Sequence, residues 1–293
     1  MTVGPAAARP RLGIALQPEP QFWRHCRALI EDRAELFEIT PETLWGDRGT
    51  PLPAHASLAA FVTRAGRPVC GHGTLGSLGA AVPPARRGDW LAALRRDRGV
   101  FGWQWFSEHL GFADADGSFT AWPLPLPPTD EAVATVAATL RDLRAASDVV
   151  AFENNADLFC LGEPLAQPEF FARIAAAADA HLLLDLHNAY AFCRDNDADL
   201  DAWLAHIPWS RVLEIHLSGG SDSDPGLLPS GRSLRLDSHD GPVPEPVWRA
   251  FAGALPRATA LRAVVLEWFP AAMDEAAGRQ FAADFARARS MLC

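Results

Sequence analysis

The sequence predicts an α/β chain folded as a TIM-type (β/α)8 barrel. Three observations predict it. Short apolar, strand-like runs alternate with helical stretches from one end to the other. About eight such units fit into 293 residues, a usual size for this barrel. The first strand also runs into "QPEPQFW" rather than the Gly-rich phosphate turn of a doubly wound open sheet.

The strand candidates, in order, are "LGIALQ" (12–17), "LFEIT" (36–40), "PVCGH" (68–72) and "WQWFSEHL" (103–110), then "DVVAFEN" (148–154), "HLLLDLHN" (181–188), "RVLEIHL" (211–217) and "LRAVVLEW" (261–268). Several are continuous apolar runs, as expected of parallel strands covered on both faces. Amphipathic or Ala-rich stretches lie between them, at 18–34, 129–147 and 163–180. The 129–147 stretch opens with Thr129 as a helix cap and acidic residues in its first turn. Two irregular insertions, 111–128 and 218–244, follow strands and so belong on the barrel face that carries active sites. Residues 1–10 read as a disordered tail and 11–293 as a single barrel domain.

Lys and Arg number 26 against 36 Asp and Glu, a net charge of −10. Phosphate neutralisation needs a basic face, so a general nucleic-acid binder is disfavoured. No run reaches the roughly 18 apolar residues a membrane span needs, and the first ten residues lack a signal-peptide core. The five cysteines are scattered through apolar segments with no C-x-x-C pair, which reads as thiols of a reducing cytoplasm.

Nearly every strand candidate ends in a group that binds metals or moves protons. Glu38 and Glu42 flank the second, His72 closes the third and Glu108-His109 the fourth. Glu153-Asn154-Asn155 end the fifth, Asp185, His187 and Asn188 the sixth, Glu214 and His216 the seventh, and Glu267 the eighth. A barrel gathers all these strand ends at one mouth. The loop at 218–244 adds Asp237 and His239, which share a side if that segment is extended; Asp240 then faces away. This is a mixed N/O donor set without thiolate, suited to Fe, Mn, Zn or Co. It is too large for one ion, so two or three metals sharing a bridging carboxylate are expected, with Glu153 as the bridge.

The series "TPETLWG", "HGTLGSLG", "SEHLGF", "LPLPPTDEAV", "FENNADLF", "LLLDLHNAYAF", "EIHLSGG", "DSHDGPVPEPVW" and "LEWFP" resembles, in order, the multinuclear non-haem iron-dependent oxidative enzymes, which include the methanobactin-biosynthesis oxidase. The resemblance covers residues 12 to about 270. It implies two or three iron ions, O2 as cosubstrate, and oxidative modification of cysteines in a ribosomally made precursor peptide, commonly presented by a small partner protein. The metal ligands it implies are His72, His109, Glu153, Asn188, His216, Asp237, His239 and Glu267. Asp185, His187 and Glu108 are read as catalytic groups beside them. Two departures stand out: the family's usual Asp-x-Asn-Asn is here Asp185-Leu186-His187-Asn188, and "QPEPQFW" lacks the His that often follows the first strand. The alternative is a Zn- or Mn-dependent hydrolase or isomerase on the same xylose-isomerase-like barrel, of the endonuclease IV or xylose-isomerase type.

Overall fold

Each apolar run forms a barrel strand of four to six residues, most of them shorter than the run itself. The computed structural model describes residues 9–115, 118–269 and 273–293. In chain order the elements begin β1 (Arg11–Leu16), α1 (Pro20–Asp32), β2 (Leu36–Ile39), α2 (Pro53–Ala65), β3 (Val69–Gly73), α3 (Arg87–Phe101) and β4 (Phe106–His109). An antiparallel hairpin follows, β5 (Phe112–Ala115) and β6 (Ser118–Leu124). Next come α4 (Asp130–Leu143), β7 (Val150–Glu153), α5 (Gln167–Ala178), β8 (His181–Asp185), α6 (Leu186–Asp195) and α7 (Leu200–Ala205). The chain ends with β9 (Val212–Leu217), α8 (Glu245–Ala254), β10 (Ala263–Leu266) and α9 (Glu275–Leu292).

Eight of these strands close a parallel barrel in the order β1-β10-β9-β8-β7-β4-β3-β2. Most of the tail expected at 1–10 lies outside the described residues, but Arg9 within it pairs with Glu35 at 2.6 Å. The insertion read as irregular at 111–128 contains the β5–β6 hairpin. The second, at 218–244, is a loop pinned by a bridge between Asp222 and Arg235.

Local chemistry sets the helix ends. Thr129 accepts a hydrogen bond from Ala132 N–H and caps α4, with Asp130 and Glu131 favourable at the positive end of the helix dipole. Gly66 and Gly102 end α2 and α3 in the left-handed conformation, which costs glycine little.

Side chains alternate across each strand, and this sorts the core into two parts. One face of the strands packs against the helices: Ile14, Phe37, Val69, Phe106, Phe152, Leu184, Ile215 and Val264 join that layer. The other face fills the barrel. Its lower interior holds Ala15, Leu36, Cys70, Trp105, Leu213, Ala263 and Val265. Further along, the inward face becomes polar: Glu38 follows Leu36, His72 follows Cys70 and Glu267 follows Val265 at a two-residue step, and on β9 a register irregularity brings Glu214 and His216 inward.

Candidate metal centre

The polar layer follows from that two-residue period. Leu36 is inward on β2, so Glu38 is too; Cys70 and His72 alternate on β3, as do Val265 and Glu267 at the end of β10. His109, Glu153, Asp185 and His216 take the matching positions on β4, β7, β8 and β9, as the pairings His109↔Glu153 and Asp185↔His216 show. All but His109 and Glu267 are buried outright.

The side chains meet around Glu153. His72 Nε2 lies 3.2 Å and His109 Nδ1 3.0 Å from Glu153 Oε2, and His216 Nδ1 lies 3.6 Å from Oε1. His216 Nδ1 is also 3.1 Å from Glu267 Oε2, which is 3.6 Å from His239 Nδ1. His239 Nε2 in turn stands 2.5 Å from Asp237 Oδ1, without the alignment of a hydrogen bond. The imidazole rings are set by their far nitrogens. His72 Nδ1 meets Ser107 Oγ at 2.9 Å; that hydroxyl donates to Gly71 O, so the ring donates to it through Nδ1 and turns Nε2 toward Glu153. His216 Nε2 faces Glu38 Oε2 at 3.1 Å, leaving Nδ1 turned to Glu153 and Glu267.

Burial disfavours the imidazolium forms, but the neighbouring carboxylates outweigh it. Glu153 beside His72, and Asp237 beside His239, push both histidines up to about 10. The carboxylates of Glu153, Asp237 and Glu267 lie below their usual range, because the histidines more than offset burial. Asp185 is pushed well up by burial and by Asp237.

This is a fit for cations. Glu153 Oε2, Asp185 Oδ2, Asn188 Oδ1, His216 Nδ1, Asp237 Oδ1 and both His239 ring nitrogens are buried with no hydrogen-bond partner among the described residues. Such atoms are costly unless something else takes their lone pairs. Among the described residues four groups of donors could each hold an ion: Glu38/Glu214/His216, deepest in the barrel, and a linked series of three, His72/His109/Glu153, Glu153/Asp185/His216 and Asp185/His239/Glu267. Within the series Glu153 links the first two and Asp185 the last two.

The family model described as "RiPP precursor modification enzyme MbnB/TglH/ChrH" matches residues 11–291. The chain belongs to this family. Proteins named as UPF0276 proteins are similar along most of its length. One from Caulobacter vibrioides is 32% identical over 261 residues, 84% of this chain and 82% of that protein. One from Bordetella pertussis is 32% identical over 249 residues, 83% and 81% respectively. Among solved structures, endonuclease IV from Thermus thermophilus matches at a TM-score of 0.53 with 19% identity, over 97% of this chain and 99% of that one. A D-allulose 3-epimerase from Methylomonas sp. matches at 0.60 with 12% identity, over 97% of both chains. A xylose isomerase-like TIM barrel protein from Mycobacterium smegmatis, solved with magnesium, matches at 0.57 with 15% identity, over 92% and 88%. These likenesses place this RiPP precursor modification enzyme on the xylose isomerase-like TIM barrel.

Two residues read as catalytic stand apart from the donor cluster. Glu108 sits between the inward-facing Ser107 and His109, so the strand period turns it outward. Its carboxylate packs where a Cβ on Gly76 would come within 2.7 Å, and burial and the nearby Glu42 push it well up. His187 and Asn188 are in the first turn of α6 rather than on β8, because Asp185 Oδ1 caps that helix by accepting from Asn188 N–H at 2.7 Å. Asn188 Nδ2 donates to Asn154 O, which leaves its Oδ1 bare. Asp185, also read as catalytic, stands among the donors.

Below the centre, Glu38 and Glu214 support it. Glu214 accepts from Trp105 Nε1 at 2.7 Å and from the Cys70 thiol at 3.4 Å, and burial together with Glu38 pushes it up to about 7. The sequence marks both as strand-end carboxylates; strand parity was the signal that sets Glu38 directly behind His216.

Proposed function

We propose that this RiPP precursor modification enzyme is an iron- and O2-dependent oxidase of cysteine residues in its precursor peptide. The observation that supports this reading is the chain of three donor groups sharing Glu153 and Asp185, since shared carboxylates are what holds ions a few ångströms apart. Its all-N/O composition suits iron.

His72, His109, Glu153, Asn188, His216, Asp237, His239 and Glu267 would hold two or three ions, with Asp185 as a further ligand. When bound, iron supplies the thiolate binding, O2 activation and one-electron steps that side chains lack. The chain supplies the rest. Ser107 and Glu38 fix the ring orientation of His72 and His216, as partners behind metal-bound histidines do. Burial of the inner carboxylates keeps the centre dry. Leu158, Phe159 and Leu161, exposed in the loop after β7, and Phe269, stacked on His239 at 4.5 Å, give an extended peptide apolar contacts beside the mouth. A small partner protein would present that peptide, and the reaction would take place in the cytoplasm.

The test is anaerobic reconstitution with Fe(II), then O2 and a Cys-containing precursor peptide encoded beside this chain. An O2-dependent mass change is expected on the cysteine-containing segment, and none after Cys→Ser. A chain that holds only zinc and is inert to O2 would favour the hydrolase or isomerase reading instead.

A further inference from the structure

We propose that Arg235 and His187 act as a positioning pair that holds Asp237 and His239 over the centre, with His187 a hydrogen-bond donor and not a metal ligand. This rests on the metal-centre reading above.

The argument begins at the ring of His187, which is wholly buried. Its Nε2 accepts from Arg235 Nε at 3.1 Å. A guanidinium N–H only donates, so the Nε2 lone pair is committed and the ring proton resides on Nδ1. A cation 3.1 Å away also bars a second cation from Nε2. Nδ1 faces Asp237 Oδ1 at 3.8 Å, too long for a formed hydrogen bond but with the N–H on the carboxylate side. Neither atom has a hydrogen-bond partner among the described residues.

Arg235 is itself held from both sides. Its backbone N–H donates to the Asp195 carboxylate at 3.0 Å, its Nη1 reaches Asp222 at 3.3 Å, and its guanidinium lies 5.9 Å over the Tyr190 ring. Asp222 accepts both nitrogens of Arg194 at 2.8 and 2.9 Å. His187, Tyr190, Arg194 and Asp195 fall on one stripe of α6 at helical spacing. The seam thus fastens the loop bearing Asp237 and His239 to one helix. Packing leaves no slack: a Cβ on Gly220 would come within 2.9 Å of His187 Cε1.

The test has two readouts. Nitrogen-15 correlation spectra of the metal-free chain should show the His187 ring protonated at Nδ1, and Arg235→Met should abolish that preference. Fe(II) titration against a competing chelator should then show His187→Ala and Arg235→Met binding as many ions as the parent chain, the weakest about 10–100-fold more weakly. His187→Asn, which keeps an N–H donor, should recover most of the loss. The double variant should be little worse than either single one, because the residues act in series. A ring protonated at Nε2 overturns the proposal. So does His187→Ala losing an ion outright while Arg235→Met matches the parent, which would make His187 a ligand. Variants that all bind like the parent overturn it alone; a parent chain that binds no Fe(II) overturns the metal-centre reading and this proposal with it.

Discussion

His216 Nε2 lies 3.1 Å from Glu38 Oε2, and both side chains are wholly buried inside the barrel. The pairing fixes which nitrogen His216 turns toward Glu153 and Glu267. Removing one partner of a buried pair costs about 3–5 kcal/mol. Glu38 also repels Glu214, so Glu38→Ala relieves one unfavourable contact and should fall at the low end, about 3 kcal/mol. Metal affinity should fall about 10–100-fold, and Glu38→Gln, which retains an acceptor, should lose much less. Denaturant melts of the metal-free chain and chelator competition measure both. An Ala variant with parental stability and affinity would refute the supporting role.

Much of this arrangement is legible in the sequence, and the exceptions have physical causes. The barrel follows from the apolar runs, and the inward ring of His72, His109, Glu153, Asp185, His216 and Glu267 from strand ends combined with a two-residue period. The same period turns Glu108 away, which strand ends alone do not reveal. The run "HLLLDLHN" reads as one strand because its apolar residues continue past Asp185, yet Asp185 caps a helix there. Asp237 and His239 do meet, but through a turn rather than an extended strand: His239 has φ 47°. Asp240 stays outside the cluster and accepts from Ser238 and Ser221. Arg235 gives no sequence signal, since its role depends on the fold of a 27-residue loop (218–244) against α6.

Glu153 belongs to two donor groups, whereas His72 belongs to one. Glu153→Ala should therefore lose more than one ion per chain and His72→Ala at most one, by elemental analysis after Fe(II) loading. Equal losses from the two variants would show that Glu153 is not shared.

His72 and His239, pushed up to about 10, are protonated in the metal-free chain at pH 7. Since their folded values exceed the ordinary 6.5, the stability they contribute is complete below about pH 6.5 and lost as pH rises through about 10. Ligation requires the neutral rings, so loading at pH 7 should release protons and affinity should rise with pH. Calorimetry in buffers of different ionisation enthalpy counts the protons; heats independent of buffer would contradict this.

Gly219 packs its Cα against the backbone of Pro242 and Gly241, and a Cβ there would come within 2.5 Å of Gly241 O. Backbone cannot swing aside as a side chain can. Gly219→Ala should displace the segment bearing Asp237 and His239, weakening metal binding and lowering the Tm while the barrel's circular dichroism persists. Gly241→Ala is the control, because its nearest neighbour would be Gly220 O at 3.5 Å, an ordinary contact. Equal behaviour of the two variants would contradict the packing argument.

The linked donor groups at the barrel mouth should hold more than one iron, which elemental analysis of the full chain, purified without oxygen from iron-replete cells, will count. Two or three iron ions per chain, reduced in number by Asp237→Ala and His239→Ala, is the expected result. One ion or none, zinc in place of iron, or an iron count unchanged in both variants would contradict it.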